Sequence, residues 1–457
     1  MNLYERPLEE VEWCAPDGLL IDLAIAPTVY PPGEDTGILC DSLSVFGAGA
    51  DRRLLEIGCG SGAVSIWAAI RGFQVHTCDI NPLAVAALRG RAKEMGIEDR
   101  LTVIEGGPGE GEIKTWSGGH EFDLIIWNPP YLDPPKQGEP HLGPLEEAGM
   151  VDLDWSQGSG ALLLAEIERG KLLKKDGTVL IIRSSTTIGR YLGEQAIAGG
   201  WAYRPTVSMT FGDGEHLEVL AFWKPWGGRE IETVQEVSST NSVLLDEGGV
   251  IGRCLRAEIQ NQGKGQRERS WLSNHGDMTA SWLMETYSPG LLQLAAGSAV
   301  MGALDTLESE EANHWMKWPN DICNSGGKIS GTLAQSRTTG DGERVVLGIG
   351  VNLTEDDMKG RSSISGIDAQ ELAQRIDCAL AGLLEKRNCI PDHSEEEIIA
   401  IAWHSMGLKL NRGARVSSPD FSGTVIGLDN SGRLLINTGQ EIVTCDSTYD
   451  LTWSFNT

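Results

Sequence analysis

The sequence predicts an α/β domain built on an open, mostly parallel sheet, then an α+β domain, then a small β-barrel. Three observations carry this. Strand-like apolar runs alternate with helix-period segments from Asp51 to about Trp223. A second, less regular alternation runs from about Glu230 to Ser405. After Gly407 the chain breaks into short β runs with turn signals. A length of 457 residues allows two to four domains at roughly 100–200 residues each. The expected division is 1–224, a linker at 225–230, 231–406 and 407–457.

In the first region Leu54–Ile57, Val75–Ile80, Leu101–Ile104, Leu124–Trp127 and Val179–Ile182 read as buried parallel strands. Helix-period segments such as Pro82–Met95 and Gly160–Leu173 lie between them. Helices on both faces of such a sheet leave its strands apolar throughout. Tyr203–Phe211 and Leu217–Trp223 predict a closing antiparallel hairpin. Lys224-Pro225-Trp226-Gly227-Gly228-Arg229 carries the Pro and paired Gly of a linker. Leu291–Leu304 is apolar but interrupted by Gln293, Gly297, Ser298 and Gly302, and reads as a buried helix. In the tail, Ala414–Val416, Gly423–Leu428, Leu434–Ile436 and Glu441–Thr444 read as strands. Asp429-Asn430-Ser431-Gly432 is a hairpin turn between two of them.

Lys plus Arg number 37 and Asp plus Glu 65, a net charge of -28. So acidic a chain repels nucleic acid over most of its surface, and DNA is not an expected partner. No apolar run reaches the roughly 18–20 residues of a membrane helix. The start, Met-Asn-Leu-Tyr-Glu-Arg, lacks the basic-then-apolar order of a signal peptide. A cytoplasmic protein without membrane association is expected. The nine cysteines occur singly, with no Cys-x-x-Cys pair, which argues against a disulfide framework or a structural zinc. Cys59, Cys78 and Cys254 read as small packing residues.

The first chemistry starts at Leu54-Leu55-Glu56-Ile57-Gly58-Cys59-Gly60-Ser61-Gly62, a strand running into glycines. Glycines there let the backbone turn tightly and approach a ligand. Many nucleotide binders share this turn. Glu56 ends the strand, where a carboxylate can meet a cationic methionine-type ammonium. Asp79 follows Gly62 by 17 residues, near the spacing of a ribose-binding acid. It could also cap the helix opening at Pro82, with Asn81 as a rival cap.

Trp127-Asn128-Pro129-Pro130-Tyr131 is more specific. Two prolines fix φ and remove two backbone donors, leaving rigid carbonyls. With the side-chain oxygen of Asn128 they can hold both hydrogens of a planar –NH2 group, and Tyr131 can pack on it. Such a nitrogen is a poor nucleophile, so fixing it in line with a sulfonium methyl supplies the orientation that solution lacks.

These residues resemble the HemK-type N5-glutamine methyltransferases, in the archaeal and eukaryotic branch that modifies the Gly-Gly-Gln loop of the class I translation release factor. Val29-Tyr30-Pro31-Pro32-Gly33-Glu34-Asp35-Thr36 is similar to that branch's Val-Tyr-x-Pro-x-Glu-Asp-Thr segment. The resemblance covers roughly residues 1 to 223 and implies a Rossmann-like class I methyltransferase fold. It implies that Glu56, Gly58, Gly60, Asp79 and Asn128 bind S-adenosylmethionine, and that Asn128 and Pro129 hold the target amide. A release factor as substrate and a small zinc-binding activator protein as partner are further implications. Where the family shows an Asp after the third strand, this chain reads Ile104-Glu105-Gly106-Gly107-Pro108-Gly109, so Glu105 is the candidate adenine contact. Asn-Pro-Pro-Tyr also suits adenine-N6 methyltransferases, but those carry a DNA-reading region, and no basic patch or spare domain provides one.

Four blocks follow in the second half: Ser238-Ser239-Thr240-Asn241; Gly263-Lys264-Gly265-Gln266-Arg267-Glu268-Arg269-Ser270-Trp271; Lys317-Trp318-Pro319-Asn320-Asp321 with Lys328-Ile329-Ser330-Gly331; and Gly348-Ile349-Gly350-Val351-Asn352. A glycine-containing loop with Lys264, Arg267 and Arg269 can close over phosphates. Taken alone it could equally be an exposed basic segment. Lys328 is a movable point charge suited to a carboxylate meeting a phosphate. Asn320 and Asp321 could hold a metal–nucleotide complex.

In this order the blocks resemble biotin–protein ligase, over about residues 231 to 457. That family joins biotin to AMP from ATP and passes biotin to a carrier-protein lysine. The resemblance implies that Ser239, Thr240, Asn241, Gln260 and Ser281 surround the biotin head and that Trp271 covers it. It implies that Gly263, Gly265, Arg267 and Arg269 serve the phosphates, and that Lys328 bridges carboxylate and α-phosphate. Asn320 and Asp321 would serve ATP with Mg2+, and Gly331 and Asn352 would complete the site. Asp321 is the candidate acceptor of the lysine proton, and a biotin carboxyl-carrier protein is the expected partner. Lys264 and Gln266 stand where arginines are usual, which predicts a weaker hold on biotinyl-AMP. A lipoate or octanoyl transferase shares the fold and is the alternative. A catalytically dead carrier-binding module is a second, disfavoured by the presence of Lys328 and Asn128.

Overall fold

The structure is a computed structural model and describes residues 7–130, 158–184, 188–212, 214–265, 270–307, 314–340, 342–355, 358, 360–410, 413–446 and 451–455. Two compact units emerge: Met1–Gly227 with Arg387–Pro391, and Gly228–Lys386 with Asp392–Thr457. Pro225 and Trp226 are buried in a short 3-10 turn.

The first unit opens with an antiparallel hairpin, β1 (Glu9–Cys14) and β2 (Leu20–Ile25). Helix α1 (Glu34–Ser44) follows, with Glu34 and Asp35 in its first turn. Then come β3 (Arg53–Ile57), α2 (Ala63–Ile70), β4 (Gln74–Asp79), α3 (Pro82–Glu94), β5 (Leu101–Glu105), α4 (Ile113–Ser117) and β6 (Phe122–Trp127). Beyond them lie α5 (Ser159–Gly170), β7 (Leu173–Ser184), α6 (Leu192–Ala198), β8 (Ala202–Thr210) and β9 (His216–Trp223). Seven strands form one sheet in the order β5-β4-β3-β6-β7-β9-β8. The first five run parallel, and the last two close it antiparallel. Leu55, Ile125, Val179 and Ile181 are fully buried between helices, among them α5 through Leu163 and Ile167. Strand order reverses between β3 and β6. Ligands of open parallel sheets sit at the carboxyl ends of the strands at such a reversal.

The second unit has a seven-stranded sheet in the order β10-β11-β12-β16-β15-β14-β13. Its strands are β10 (Glu232–Val237), β11 (Cys254–Gln260), β12 (Met278–Met284), β13 (Trp315–Lys317), β14 (Asp321–Asn324), β15 (Gly327–Thr339) and β16 (Gly342–Val351). Only β10–β11 among these pairs is parallel. Helix α7 (Thr240–Glu247) packs Leu244 and Leu245 against Leu255, Leu283 and Val346. Helix α8 (Pro289–Asp305) is buried over most of its surface, as its apolar sequence requires. Helices α9 (Ala369–Leu384) and α10 (Glu395–Leu410) follow. The tail is a five-stranded antiparallel sheet in the order β20-β19-β18-β17-β21, from β17 (Ala414–Ser417), β18 (Ser422–Leu428), β19 (Leu434–Asn437), β20 (Ile442–Cys445) and β21 (Thr452–Phe455). The expected turn forms: Asp429 Oδ1 accepts from the Ser431 and Arg433 amides, each at 2.9 Å. Strand β21 is an addition to the expected four.

Candidate active sites

Strand reversal sets the first site. Ile57 and Trp127 are register partners on β3 and β6, so the glycine turn after one strand lies beside Asn128 after the other. Gly58, Gly60 and Gly62 all have positive φ, at 67°, 48° and 78°, a region costly for any residue with a Cβ. The turn is fixed by Gly58 and Cys59 amides donating to the Cys78 carbonyl at 2.8 and 3.1 Å.

Asp79 completes that fixation. Its Oδ2 accepts from the Gly60 amide and its Oδ1 from the Asn81 amide, both at 2.8 Å. The cap of α3 is Asn81, whose Oδ1 accepts from Leu83 N at 3.0 Å. The two roles left open for Asp79 are thereby separated, because its carboxylate is turned to the glycine turn. Glu56 is buried and accepts a hydrogen bond from the Ser65 hydroxyl. Burial pushes its carboxyl up to about 8, and neighbouring Asp79 adds to the effect. Asp79 is likewise raised by burial. Among the described residues neither carboxylate is in an ion pair, so the turn carries two buried acids suited to a cationic ligand. That chemistry fits the sulfonium and ammonium of S-adenosylmethionine. Glu105 pairs with Asp79 in register at the end of β5 and is exposed.

Asn128 donates from Nδ2 to Asp35 Oδ2 at 2.7 Å. Its Oδ1 is buried and has no partner among the described residues. An orphaned buried acceptor needs an explanation, and a donor on a bound ligand supplies one. Pro129 is buried beside it; Tyr131 lies outside the described residues. Asp35 was part of a motif in the sequence but carried no role; its place against Asn128 is new.

The second site is a cavity of about 190 Å³ in the other unit. Its floor, Thr240, Asn241 and Gln260, is part of one polar chain that Ser281 and Gln335 extend behind it. Gln260 Oε1 accepts from the Thr240 amide at 2.9 Å and from its hydroxyl at 3.1 Å. Ser281 Oγ lies 2.6 Å from both Thr240 Oγ1 and Asn241 Oδ1, and Asn241 Nδ2 donates to Gln335 Oε1 at 2.9 Å. Ser239 caps α7 at the cavity edge. Gly348 leaves room for Asn241, since a Cβ there would strike its amide.

Trp271 forms a wall. A Cβ at Gly350 would strike its indole, and one at Gly331 would meet it and Lys328. Lys328 Nζ sits 5.7 Å from the Trp271 ring centroid and donates to Asp321 Oδ1 at 2.6 Å. Asn320 Nδ2 is tied to Thr332, at 3.0 Å to the carbonyl and 2.8 Å to the hydroxyl. The neck of the basic loop is closed by a Lys264–Ser270 bridge and by Trp271 N donating to Gly263 O at 2.8 Å. Gly265 lines the cavity; Gln266, Arg267 and Arg269 lie outside the described residues. Among the described residues no three His, Cys, Asp or Glu side chains gather as a metal site. Nucleotide phosphates normally supply most ligands of a Mg2+ ion, so Asp321 fits as one protein contact.

Three expected contacts do not line the cavity: Gly263, which closes the loop neck, Asn352 and Ser281. Asn352 Nδ2 donates to the carbonyls of Lys328 at 3.1 Å and Ser362 at 3.0 Å. Ser281 lies behind the floor, its hydroxyl bonded to Thr240 and Asn241. Thr332 and Gln335 were missed by the sequence reading, although each follows Lys328 on the same long strand.

Comparison with known proteins matches both halves. Residues 34–139 match the methyltransferase small domain, and residues 252–352 match the biotin/lipoate A/B protein ligase family. A Methanocaldococcus jannaschii protein named for protein N5-glutamine methylation is 32% identical over 169 residues, 36% of this chain and 78% of that protein. A biotin–[acetyl-CoA-carboxylase] ligase of Mycobacterium tuberculosis is 29% identical over 242 residues, 48% of this chain and 86% of that protein. A solved biotin protein ligase from Aquifex aeolicus, in complex with biotin and ATP, is 26% identical, with a TM-score of 0.40, covering 50% of this chain and all (100%) of that one.

Proposed function

We infer the reactions from this premise: the chain belongs over its first half to the protein N5-glutamine methyltransferases and over its second half to the biotin–protein ligases. The first half is a methyltransferase and the second a biotin ligase. We propose that the methyl acceptor is a glutamine side-chain amide, on the Gly-Gly-Gln loop of a translation release factor. The observation that carries it is Asn128: its NH2 end is taken by Asp35, and its Oδ1 is buried with no partner among the described residues. Oδ1 and the Pro129 carbonyl take the two amide hydrogens and hold the nitrogen for attack. Bound S-adenosylmethionine, held by Glu56, Gly58, Gly60, Asp79 and Glu105, would supply the electrophilic methyl, its S–CH3 bond breaking to leave a thioether as the N–C bond forms and one amide proton passes to water. Tyr131 packs on the planar amide, and a small zinc-binding protein is the candidate activator. Incubation of a release factor with the full chain and S-adenosylmethionine tests this by mass. One methyl adds about 14 Da at a glutamine by the chemistry of the transfer. No gain, with or without the zinc-binding protein, rejects the acceptor.

For the second half we propose that biotin's ring system lies on the floor of Thr240, Asn241 and Gln260 under Trp271. Lys328 neutralises charge as the biotin carboxylate attacks the α-phosphorus of ATP; the P–O bond to pyrophosphate breaks. Arg267, Arg269, Asn320 and Mg2+ serve the phosphates. A carrier-protein lysine then takes the acyl group and AMP leaves, with Asp321 as the proton acceptor. Labelled biotin, ATP and a carrier domain test this; no transfer from biotin, with transfer from labelled octanoate or lipoate instead, would favour a lipoate-type reaction.

A further inference from the structure

Besides Asp321 and Asn352, Lys328 is held by residues outside every motif described above. Its amide donates to the Gly360 carbonyl and its carbonyl accepts from the Ser362 amide, both at 2.9 Å. Lys328 and Arg361 thus form a parallel bridge. Gly327, at φ 143°, permits that approach, because a Cβ there would strike the Gly360 carbonyl. Asn352 Nδ2 adds hydrogen bonds to the carbonyls of Lys328 and Ser362.

The segment 360–362 is itself anchored by one carboxylate. Asp277, almost wholly buried, forms an ion pair with Arg361, whose side chain is 11% exposed. The Oδ1 of Asp277 accepts from Leu353 N at 2.9 Å, Thr354 N at 3.0 Å and the Thr354 hydroxyl at 2.8 Å. Its Oδ2 also accepts from Asn274 N at 2.7 Å. Burial alone would raise this carboxyl; the hydrogen bonds from Asn274, Thr354 and Leu353 outweigh it and hold it below the usual range. One charge thus joins the exit of the basic loop three residues past Trp271, the end of β16, and the segment that flanks Lys328.

We propose that Asp277 and Arg361 are a buried positioning pair for Lys328, setting where its ammonium meets the carboxylate and the α-phosphate. A buried charge with five partners is stiff, because each partner is costly to remove. A displacement of about 1 Å in a charge-neutralising group costs about 100-fold in rate. The proposal rests on the reading of Lys328 given above.

The test is biotin-dependent ATP–pyrophosphate exchange by the full chain, with Arg361→Ala, Arg361→Lys, Asp277→Asn and Lys328→Ala. Arg361→Ala should lower kcat about 100-fold with a much smaller change in KM for biotin. Arg361→Lys should recover a large part, since it keeps the charge. In a Lys328→Ala background Arg361→Ala should cost almost nothing more, because residues acting through one another are non-additive. Equal losses in both backgrounds, or full activity of Arg361→Ala, overturn the proposal alone. A wild type without exchange, or a Lys328→Ala chain as fast as wild type, overturns the reading of the reaction and the proposal with it. If Arg361→Ala does not fold, Arg361→Lys and Asp277→Asn carry the same comparison.

Discussion

Asp35 accepts a hydrogen bond from Asn128 Nδ2 at 2.7 Å although 93 positions separate them in the chain. An amide has two ends, and a carboxylate can pair only with the NH2 end. Asp35 therefore fixes which way Asn128 faces. Removing the carboxylate lets the amide turn over and present a donor to the target nitrogen. Asp35→Ala should lower methyl-transfer kcat by about 100-fold, the scale expected when a reacting group loses orientation. The KM for S-adenosylmethionine should move little. Tritium transfer from the labelled cofactor measures both; an unchanged kcat means that the orientation is set elsewhere.

Glu56 gives the methyltransferase unit a pH signature. Its carboxyl is raised from 4.5 to about 8, chiefly by burial. Between those values the folded chain keeps a proton that the unfolded chain has lost, so stability falls as pH rises from about 4.5 to about 8. Glu56→Gln is neutral throughout and should melt higher than the natural chain at pH 8, with the gap closing towards pH 5. Saturating S-adenosylmethionine should reverse the order at pH 8, because its ammonium pairs with the carboxylate. Melting curves across that range check it, and a gap independent of pH sinks the assignment.

Most strands of the first unit were legible because parallel strands buried on both faces leave continuous apolar runs, as at Leu54–Ile57 and Leu124–Trp127. Hairpin β1–β2 and helix α1 were not. Strand β1 reads Glu-Glu-Val-Glu-Trp-Cys with only Val11 and Trp13 half-buried, an alternation too short to mark a strand. Motif residues were legible as a set, yet their division of labour was not. Asn352 sits in a glycine-rich block that suggests ligand contact, but its amide spans two backbone carbonyls. Asp277 and Arg361 belong to no motif, and only folding brings them together. A sequence shows which chemistry is present; hydrogen-bond geometry decides which groups perform it and which hold them.

Gly350 tests the seat of Trp271. A methyl group there would strike the indole, and Trp271 must tilt into the cavity or out of it. Overpacking of this kind costs about 1–3 kcal/mol when the neighbour must move. Gly350→Ala should weaken biotin binding by at least about 10-fold, the equilibrium equivalent of ~1.4 kcal/mol, while the sheet still folds. Titration calorimetry and circular dichroism separate the two effects. Unaltered biotin affinity would show that Trp271 is not part of the biotin seat.

Trp318 links the ligase turn to the terminal sheet. Its Nε1 donates to the Gly432 carbonyl at 2.9 Å, inside the hairpin turn that Asp429 organises. The indole is buried, and Asn320 and Asp321 follow two and three residues later. The terminal sheet therefore buttresses the turn that carries two residues of the proposed ATP site. Trp318→Phe keeps an aromatic ring but leaves a buried carbonyl without its donor, at a cost of about 1–3 kcal/mol. We expect a lower melting temperature for the second unit and a raised KM for ATP, with KM for biotin nearly unchanged because the biotin floor lies on β11 and the start of α7. A chain ending at residue 413 should lose ATP-dependent activation altogether. Equal rises in both KM values would locate the damage in the whole cavity, and an unchanged KM for ATP would separate the terminal sheet from the reaction.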